Sequence, residues 1–427
     1  MKSAALCIEK PVSQTGMAAH INDYAKRILL KRLEKLQHGE LILDDGGELF
    51  VFGRQDDVIP ESVTITIKDP AFYTGVLVRG ILGAGEAYMN GDWECDDLTQ
   101  LVELMLCNRR YTGKIGPGMA WLMQPLHLLH HYLNRNSLAG SRRNIGAHYD
   151  LGNDLFELFL DRTMMYSCGV FPDPQATLQE ASTAKLALIC RKLQLGPGDH
   201  VLEIGTGWGG FAIHAARHHG CRVTTTTISK QQYDYARLRV REAGLDDRIT
   251  VLCDDYRVLN GSYDKLVSIE MIEAIGHRYY ETFFRKCSEL LKPNGMMLLQ
   301  AITIPDQRYR QAKKATDFIQ RYIFPGGCLP SIAALSAVTA RKTDMRIFHL
   351  EDIGPHYATT LHHWRERFHA NLDKVRQLGY PERFIRMWEY YLSYCEGGFR
   401  QQSIGTVQLL FTRPGTRREP LTGNNYR

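Results

Sequence analysis

Several features are missing from this chain, and each absence narrows what it can be. Ten cysteines among 427 residues form no C-x-x-C pair, so neither a disulfide framework nor a zinc site is legible and no metal is expected. Scattered thiols of this kind suit a reducing, cytoplasmic compartment. No uninterrupted apolar run reaches the ~18 residues that a spanning helix needs, and Met1 to Gly16 contain no apolar signal core. Any meeting with a membrane is therefore expected to be peripheral, at its inner face. A large excess of one charge is lacking too. The net charge of +5 permits an anionic surface as partner without calling for nucleic acid. Internal repeats and low-complexity tracts are absent, and the length exceeds one ordinary domain, so two are expected.

Residues 1–110 read as a small α+β domain. Asn22 to Gln37 places Tyr24, Ile28, Leu29, Leu33 and Leu36 at helical spacing. Strands follow at Glu40 to Leu43, Leu49 to Phe52 and Val63 to Lys68, with Asp44-Asp45-Gly46-Gly47 as a turn. Asp69-Pro70 opens a helix to Ile81, and Asp96 or Asp97 is placed to cap another through Cys107. Residues 111–144 are a basic and apolar linker. Its Met119 to Leu129 segment suits either a helix in a membrane interface or one packed between domains.

From residue 145 to 413 helix and strand alternate. Strands are expected at 200–204, 221–228, 249–253, 263–269 and 295–302, with helices between them. That is the pattern of an α/β, doubly wound, Rossmann-like sheet. A helical insertion, Tyr309 to Ile323, reads as a lid. Later come a strand near Met345 to Glu351, helices near Thr359 to Leu378 and Pro381 to Cys395, and a last strand at Gly405 to Phe411. Residues 414–427 are polar and read as a disordered tail.

Within this domain Val201 to Ile204 runs into Gly205-Thr206-Gly207-Trp208-Gly209-Gly210. A strand, a tight glycine turn and a helix start bring backbone N–H groups close to a ligand. The next strand ends near Ile228-Ser229 with no acidic residue at its tip, which is what a nicotinamide ribose would require. E-x-G-x-G-W-G instead resembles the first motif of S-adenosylmethionine-dependent methyltransferases.

Six further stretches occur in register with it: Ala147 to Asn153, Met165 to Phe171, Thr227 to Gln232, Glu270 to His277, Tyr322 to Gly327 and Pro355 to Leu361. Together they closely resemble the cyclopropane-fatty-acyl-phospholipid synthase family, from about His148 to Arg413. Gly80 to Leu106 also resembles that family's N-terminal domain. The resemblance implies transfer of a methylene group from S-adenosylmethionine to the cis double bond of an acyl chain in a membrane phospholipid. It also implies a homodimer and a carbocation deprotonated by bound bicarbonate. The carbonate cradle would be Cys168, Glu273, Gln300 and Tyr357, where Gln300 stands in place of the histidine of many bacterial synthases. The methyl donor would meet Tyr166, Ser167, Glu203, Gly205, Gly207, Trp208, Gly209, Thr227, Ser229, Gln232, Asp255 and Tyr256. Two other outcomes stay open: a methyl- or methylene-branched acyl product, and a small-molecule N-methyltransferase.

Overall fold

The computed structural model describes residues 16–112 and 152–421. The stretch Met119 to Leu129 and the histidine of Ala147 to Asn153 lie outside them. The described residues divide into two compact units, 16–97 with 107–112 and 98–106 with 152–421.

In the first unit a helix, Gly16–Leu33, precedes the strands β1 (Gly39–Asp45), β2 (Glu48–Arg54), β3 (Ser62–Ile67) and β4 (Trp93–Cys95). They form one sheet in the order β2-β1-β3-β4. The turn between β1 and β2 is tied by Asp44 Oδ1, which accepts from the Gly47 N–H at 2.8 Å. The expected helix from Asp69-Pro70 is in fact two, Ala71–Arg79 and Ile81–Asn90, broken at Gly80. The second was hidden because Gly83 and Gly85 read as loop. Their role is close approach: a Cβ on Gly83 would lie 2.0 Å from the Gly75 carbonyl oxygen.

The helix Leu98–Cys107 follows directly on Asp97, one of its two candidate caps; the other, Asp96, accepts from the Thr64 N–H at 2.9 Å through its carboxylate. Residues 98–106 belong to the second unit, not to an N-terminal domain ending at 110. There the Thr99 hydroxyl donates to Glu396 at 3.3 Å, and Arg400 donates to Glu103 at 3.0 Å.

The second unit is built on seven strands: β5 (His200–Ile204), β6 (Arg222–Thr226), β7 (Ile249–Leu252), β8 (Tyr263–Ile269), β9 (Leu291–Thr303), β10 (Arg346–Asp352) and β11 (Gly405–Thr412). Their order is β10-β11-β9-β8-β5-β6-β7. Strands β5 to β9 pair in parallel, and β11 runs antiparallel to both β9 and β10. A parallel sheet covered on both faces needs apolar residues on both, which explains its nearly continuous apolar strands. Alternate residues feed two cores. Leu202, Leu266, Met297, Leu299 and Leu409 enter one; Val201, Val267, Met296, Leu298 and Leu410 enter the other.

The order reverses between β5 and β8. Strands added after β5 extend one way, while β8 returns to its other side. Ligands of such sheets bind beyond the C-terminal ends of the strands at this switch. The loop after β5 is the glycine turn, and the residue after β8 is Glu270. The two loops touch: a Cβ on Gly205 would meet Met271 Cβ at 3.3 Å.

The predicted insertion forms a helix, Asp306–Ala312, and a single π-helical turn, Ile319–Ile323. The helix placed near Thr359 begins earlier, at Gly354, with Pro355 in its first turn. This puts Tyr357 on a helix instead of ahead of one. The tail is a further correction. Thr416 Oγ1 donates to the Asn294 carbonyl at 3.1 Å, and Arg418 donates to the Lys192 carbonyl while its guanidinium lies 4.9 Å from the Phe348 ring centre. Residues 414–418 thus dock on the second unit.

Gly83→Ala should destabilise the first unit by about 1–3 kcal/mol through overpacking, in spite of alanine's better helix propensity. Thermal unfolding of the full chain followed by limited proteolysis checks this.

Candidate active site

Three of the residues expected to form the anion cradle come together, but around a carboxylate that was not expected. Glu270 Oε1 accepts from the Cys168 backbone N–H at 3.0 Å and from Gln300 Nε2 at 2.7 Å. Its Oε2 accepts from the Tyr357 hydroxyl at 2.6 Å. Cys168 therefore contributes its backbone. Its thiol points away, donating to the Gly169 carbonyl at 3.1 Å, and burial pushes that thiol well above its ordinary range. Burial and the neighbouring Glu270 likewise push the Tyr357 phenol far up, which keeps it protonated and a donor.

Glu273, placed in the cradle on sequence grounds, lies one turn further on and faces elsewhere. Its Oε1 accepts from the Ile302 N–H at 2.5 Å, and its Oε2 is buried without a hydrogen-bond partner. Burial, with Glu270 as a second cause, pushes its carboxyl up to about 8. A proton on Glu273 relieves its like-charge repulsion with Glu270. Glu270 itself is pushed above the ordinary carboxylate range by burial, opposed by hydrogen bonds from Tyr357, Gln300 and Cys168. The sequence held one signal for Glu270: it is the first residue after a parallel strand at the switch point.

Gln300 is fully buried on β9, and its orientation is fixed from behind. Gln408, opposite it on β11, donates through Nε2 to Gln300 Oε1 at 2.9 Å. Lys192 Nζ in turn donates to Gln408 Oε1 at 2.6 Å and to Glu351 at 2.5 Å. An ammonium can only donate, so it settles which end of each amide is oxygen. The chain of bonds ends with Gln300 Nε2 aimed at Glu270. A second buried lysine, Lys185, donates to Ser167 Oγ at 2.7 Å. Burial pulls its ammonium down to about 8, and Glu270 is the foremost charge holding it up. Neither lysine was singled out from the sequence, because both sit on a helix (Leu178–Leu193) whose ordinary pattern hides them.

An aromatic wall adjoins this cluster. The Tyr166 ring lies 5.1 Å from Trp364 and 5.2 Å from Phe156, and its hydroxyl is 2.7 Å from that of Tyr391. Tyr357 stacks on Phe399 at 4.4 Å.

The glycine turn is shaped for close approach. Gly205 and Gly207 have φ of 103° and 53°, values that disfavour other residues. A Cβ on Gly207 would meet nothing within 4 Å, so the backbone there faces open space. Glu203 lies beneath the turn, where it accepts from Thr225 at 2.6 Å; burial pushes it up to about 8. Trp208 is buried and donates to Asn153 at 2.7 Å, while Gly209 backs onto Ala236. Thr227 donates to Gln232 at 2.9 Å, and Ser229 caps the following helix. Asp255 is held by Arg257 at 2.6 Å, with Tyr256 packed on Phe283. These residues line the loops that end β5, β6 and β7.

A family model described as mycolic acid cyclopropane synthetase matches residues 136–409. The tuberculostearic acid methyltransferase of Mycobacterium tuberculosis is 40% identical over 345 residues, covering 79% of this chain and 80% of that protein. The cyclopropane-fatty-acyl-phospholipid synthase of Escherichia coli is 39% identical over 365 residues, covering 82% and 87%. Among solved structures, a mycolic acid cyclopropane synthase complexed with SAH and CTAB superposes with a TM-score of 0.60 at 33% identity, covering 64% of this chain and 98% of that one. A coclaurine N-methyltransferase superposes at 0.59 with 23% identity and so shares the fold.

The buried proton on Glu273 makes stability depend on pH. A carboxyl raised in the folded state stabilises fully below its unfolded value of 4.5, and that contribution is lost as pH rises to about 8. Glu273→Gln should therefore match the parent near the lower limit. Its advantage in Tm should grow as pH rises and level off above the upper one. Scanning calorimetry across this range checks it; a difference that does not change with pH contradicts the buried neutral carboxyl.

Proposed function

The chain belongs to the mycolic acid cyclopropane synthetase family of S-adenosylmethionine-dependent methyltransferases, and on that premise we propose that it methylenates the cis double bond of an unsaturated acyl chain in a phospholipid, closing a cyclopropane ring. The observation that carries this reading is the span of the likeness to the Escherichia coli synthase. It covers 82% of this chain, against 64% for the mycolic acid enzyme, and so extends into the N-terminal unit.

Bound in the glycine turn, S-adenosylmethionine supplies an electrophilic methyl. The open space at Gly207 and the backbone approach allowed by Gly205 fit such a ligand. Tyr166, Ser167, Thr227, Ser229, Gln232, Asp255 and Tyr256 would complete its surroundings. An alkene is a weak, neutral nucleophile, so this protein's main task is alignment. The wall of Tyr166, Trp364 and Phe156 suits an acyl chain and shields a developing cation from water. Among the described residues no helix is long and apolar enough to cross a membrane. On this reading the lipid is met at the inner membrane surface, by a homodimer.

One alternative is favoured by a specific finding. The tuberculostearic acid methyltransferase is 40% identical, and a methyl- or methylene-branched chain begins with the same transfer. The N-methyltransferase likeness supports the fold alone.

Purified protein incubated with methyl-labelled S-adenosylmethionine and unsaturated phospholipid vesicles should transfer label to the lipid. Proton NMR of the released chains should show cyclopropane ring protons. Label in a branched chain overturns ring closure, and no label in lipid overturns the reading. Gly207→Val should weaken S-adenosylhomocysteine binding at least about tenfold, or roughly 1.4 kcal/mol, in calorimetric titration with the fold retained.

A further inference from the structure

The donors assigned to bicarbonate by resemblance are already occupied. The Cys168 N–H, Gln300 Nε2 and Tyr357 hydroxyl all point at the two oxygens of Glu270, at 3.0, 2.7 and 2.6 Å. The fourth member, Glu273, offers a buried carboxyl, and the Ile302 N–H beside it is taken by its Oε1. A bicarbonate here would sit against a carboxylate with no free donor among these groups to balance it, a costly arrangement out of water. The residues present do not fit that anion.

They do fit a carboxylate carried by the chain itself. Glu270 presents the same planar pair of oxygens a carbonate would. It is held at φ 49°, in the left-handed region where a residue other than glycine is uncommon and often functional. It stands at the C-terminal end of β8 beside the glycine turn, where Gly205 approaches Met271. The residue as a whole is partly exposed, while its carboxylate is held among its three donors. Lys185, bonded to Ser167, is a positive charge that acts on it.

We infer that Glu270 is the base of the reaction and that this chain needs no bicarbonate. The inference rests on the methylenation reading above. The alkene π pair bonds to the donor's methyl carbon, and the carbon–sulfur pair leaves with sulfur. This leaves a cation on the neighbouring chain carbon. A Glu270 oxygen takes a proton from the transferred methyl, and the freed C–H pair closes the ring onto the cation. Glu270 is left as the acid and returns its proton to water once the product leaves. Gln300 suits this role. Its amide donates a hydrogen bond yet has no proton to surrender, so it orients the base without neutralising it, as a histidinium would not.

The test uses the full-length protein, labelled S-adenosylmethionine and unsaturated phosphatidylglycerol vesicles, in carbonate-free buffer and with added bicarbonate. The parent should transfer label equally in both. Glu270→Gln should lose activity by about 100-fold or more, the usual scale for a missing base, while keeping S-adenosylhomocysteine affinity. Glu270→Gly relieves the backbone and frees the three donors, and added bicarbonate should restore part of its activity. A parent that stops in carbonate-free buffer, or a Glu270→Gln variant that keeps its activity, overturns the inference while leaving the methylenation reading intact. No label in lipid from the parent overturns both.

Discussion

One buried anion organises the catalytic end of the sheet. Glu270 gathers a backbone N–H from the loop bearing Cys168, an amide from β9 and a phenol from the helix Gly354–Ala370. A carboxylate taken from water is costly unless it is hydrogen-bonded. Three donors, with the positive charge of Lys185 acting on it, offset that cost. The same bonds tie together segments that are distant in the chain. The Lys192–Gln408–Gln300 line serves this anion from behind, which explains why an apolar sheet keeps two buried amides and a buried ammonium.

The two carboxyls after β8 illustrate how environment separates like groups. Glu270 is surrounded by donors, which favour its ionised form. Glu273 has one backbone donor and an unpartnered oxygen, which favours its proton. Burial raises both carboxyls, but only Glu270 has donors on both oxygens to oppose it. A base near the reacting centre and a neutral neighbour can coexist where two anions could not.

Much of the fold was legible in the sequence. The parallel strands announce themselves as apolar runs, and the glycine turn carries its own strand–turn–helix context. The hidden parts share a cause. Gly83 and Gly85 suggest a loop until the close packing at Gly75 is known. Arg418 and Thr416 look like a solvated tail until Phe348 and Asn294 are found beside them. At the site, motif likeness favoured Glu273 over Glu270 because spacing alone does not say which way two carboxyls one turn apart point. The partners that decide it, Gln300 and Tyr357, lie 30 and 87 residues away along the chain. Cys168 joins this cluster through a backbone N–H that any residue but proline would supply.

The central claim is that a protein carboxylate takes the place of a bound anion. A crystal structure of the S-adenosylhomocysteine complex, grown in bicarbonate, tests it most directly. The account predicts the Glu270 carboxylate between the Cys168 N–H, Gln300 Nε2 and Tyr357 hydroxyl, with no separate ion there. A planar three-oxygen anion on those donors, with Glu270 rotated away, would contradict it.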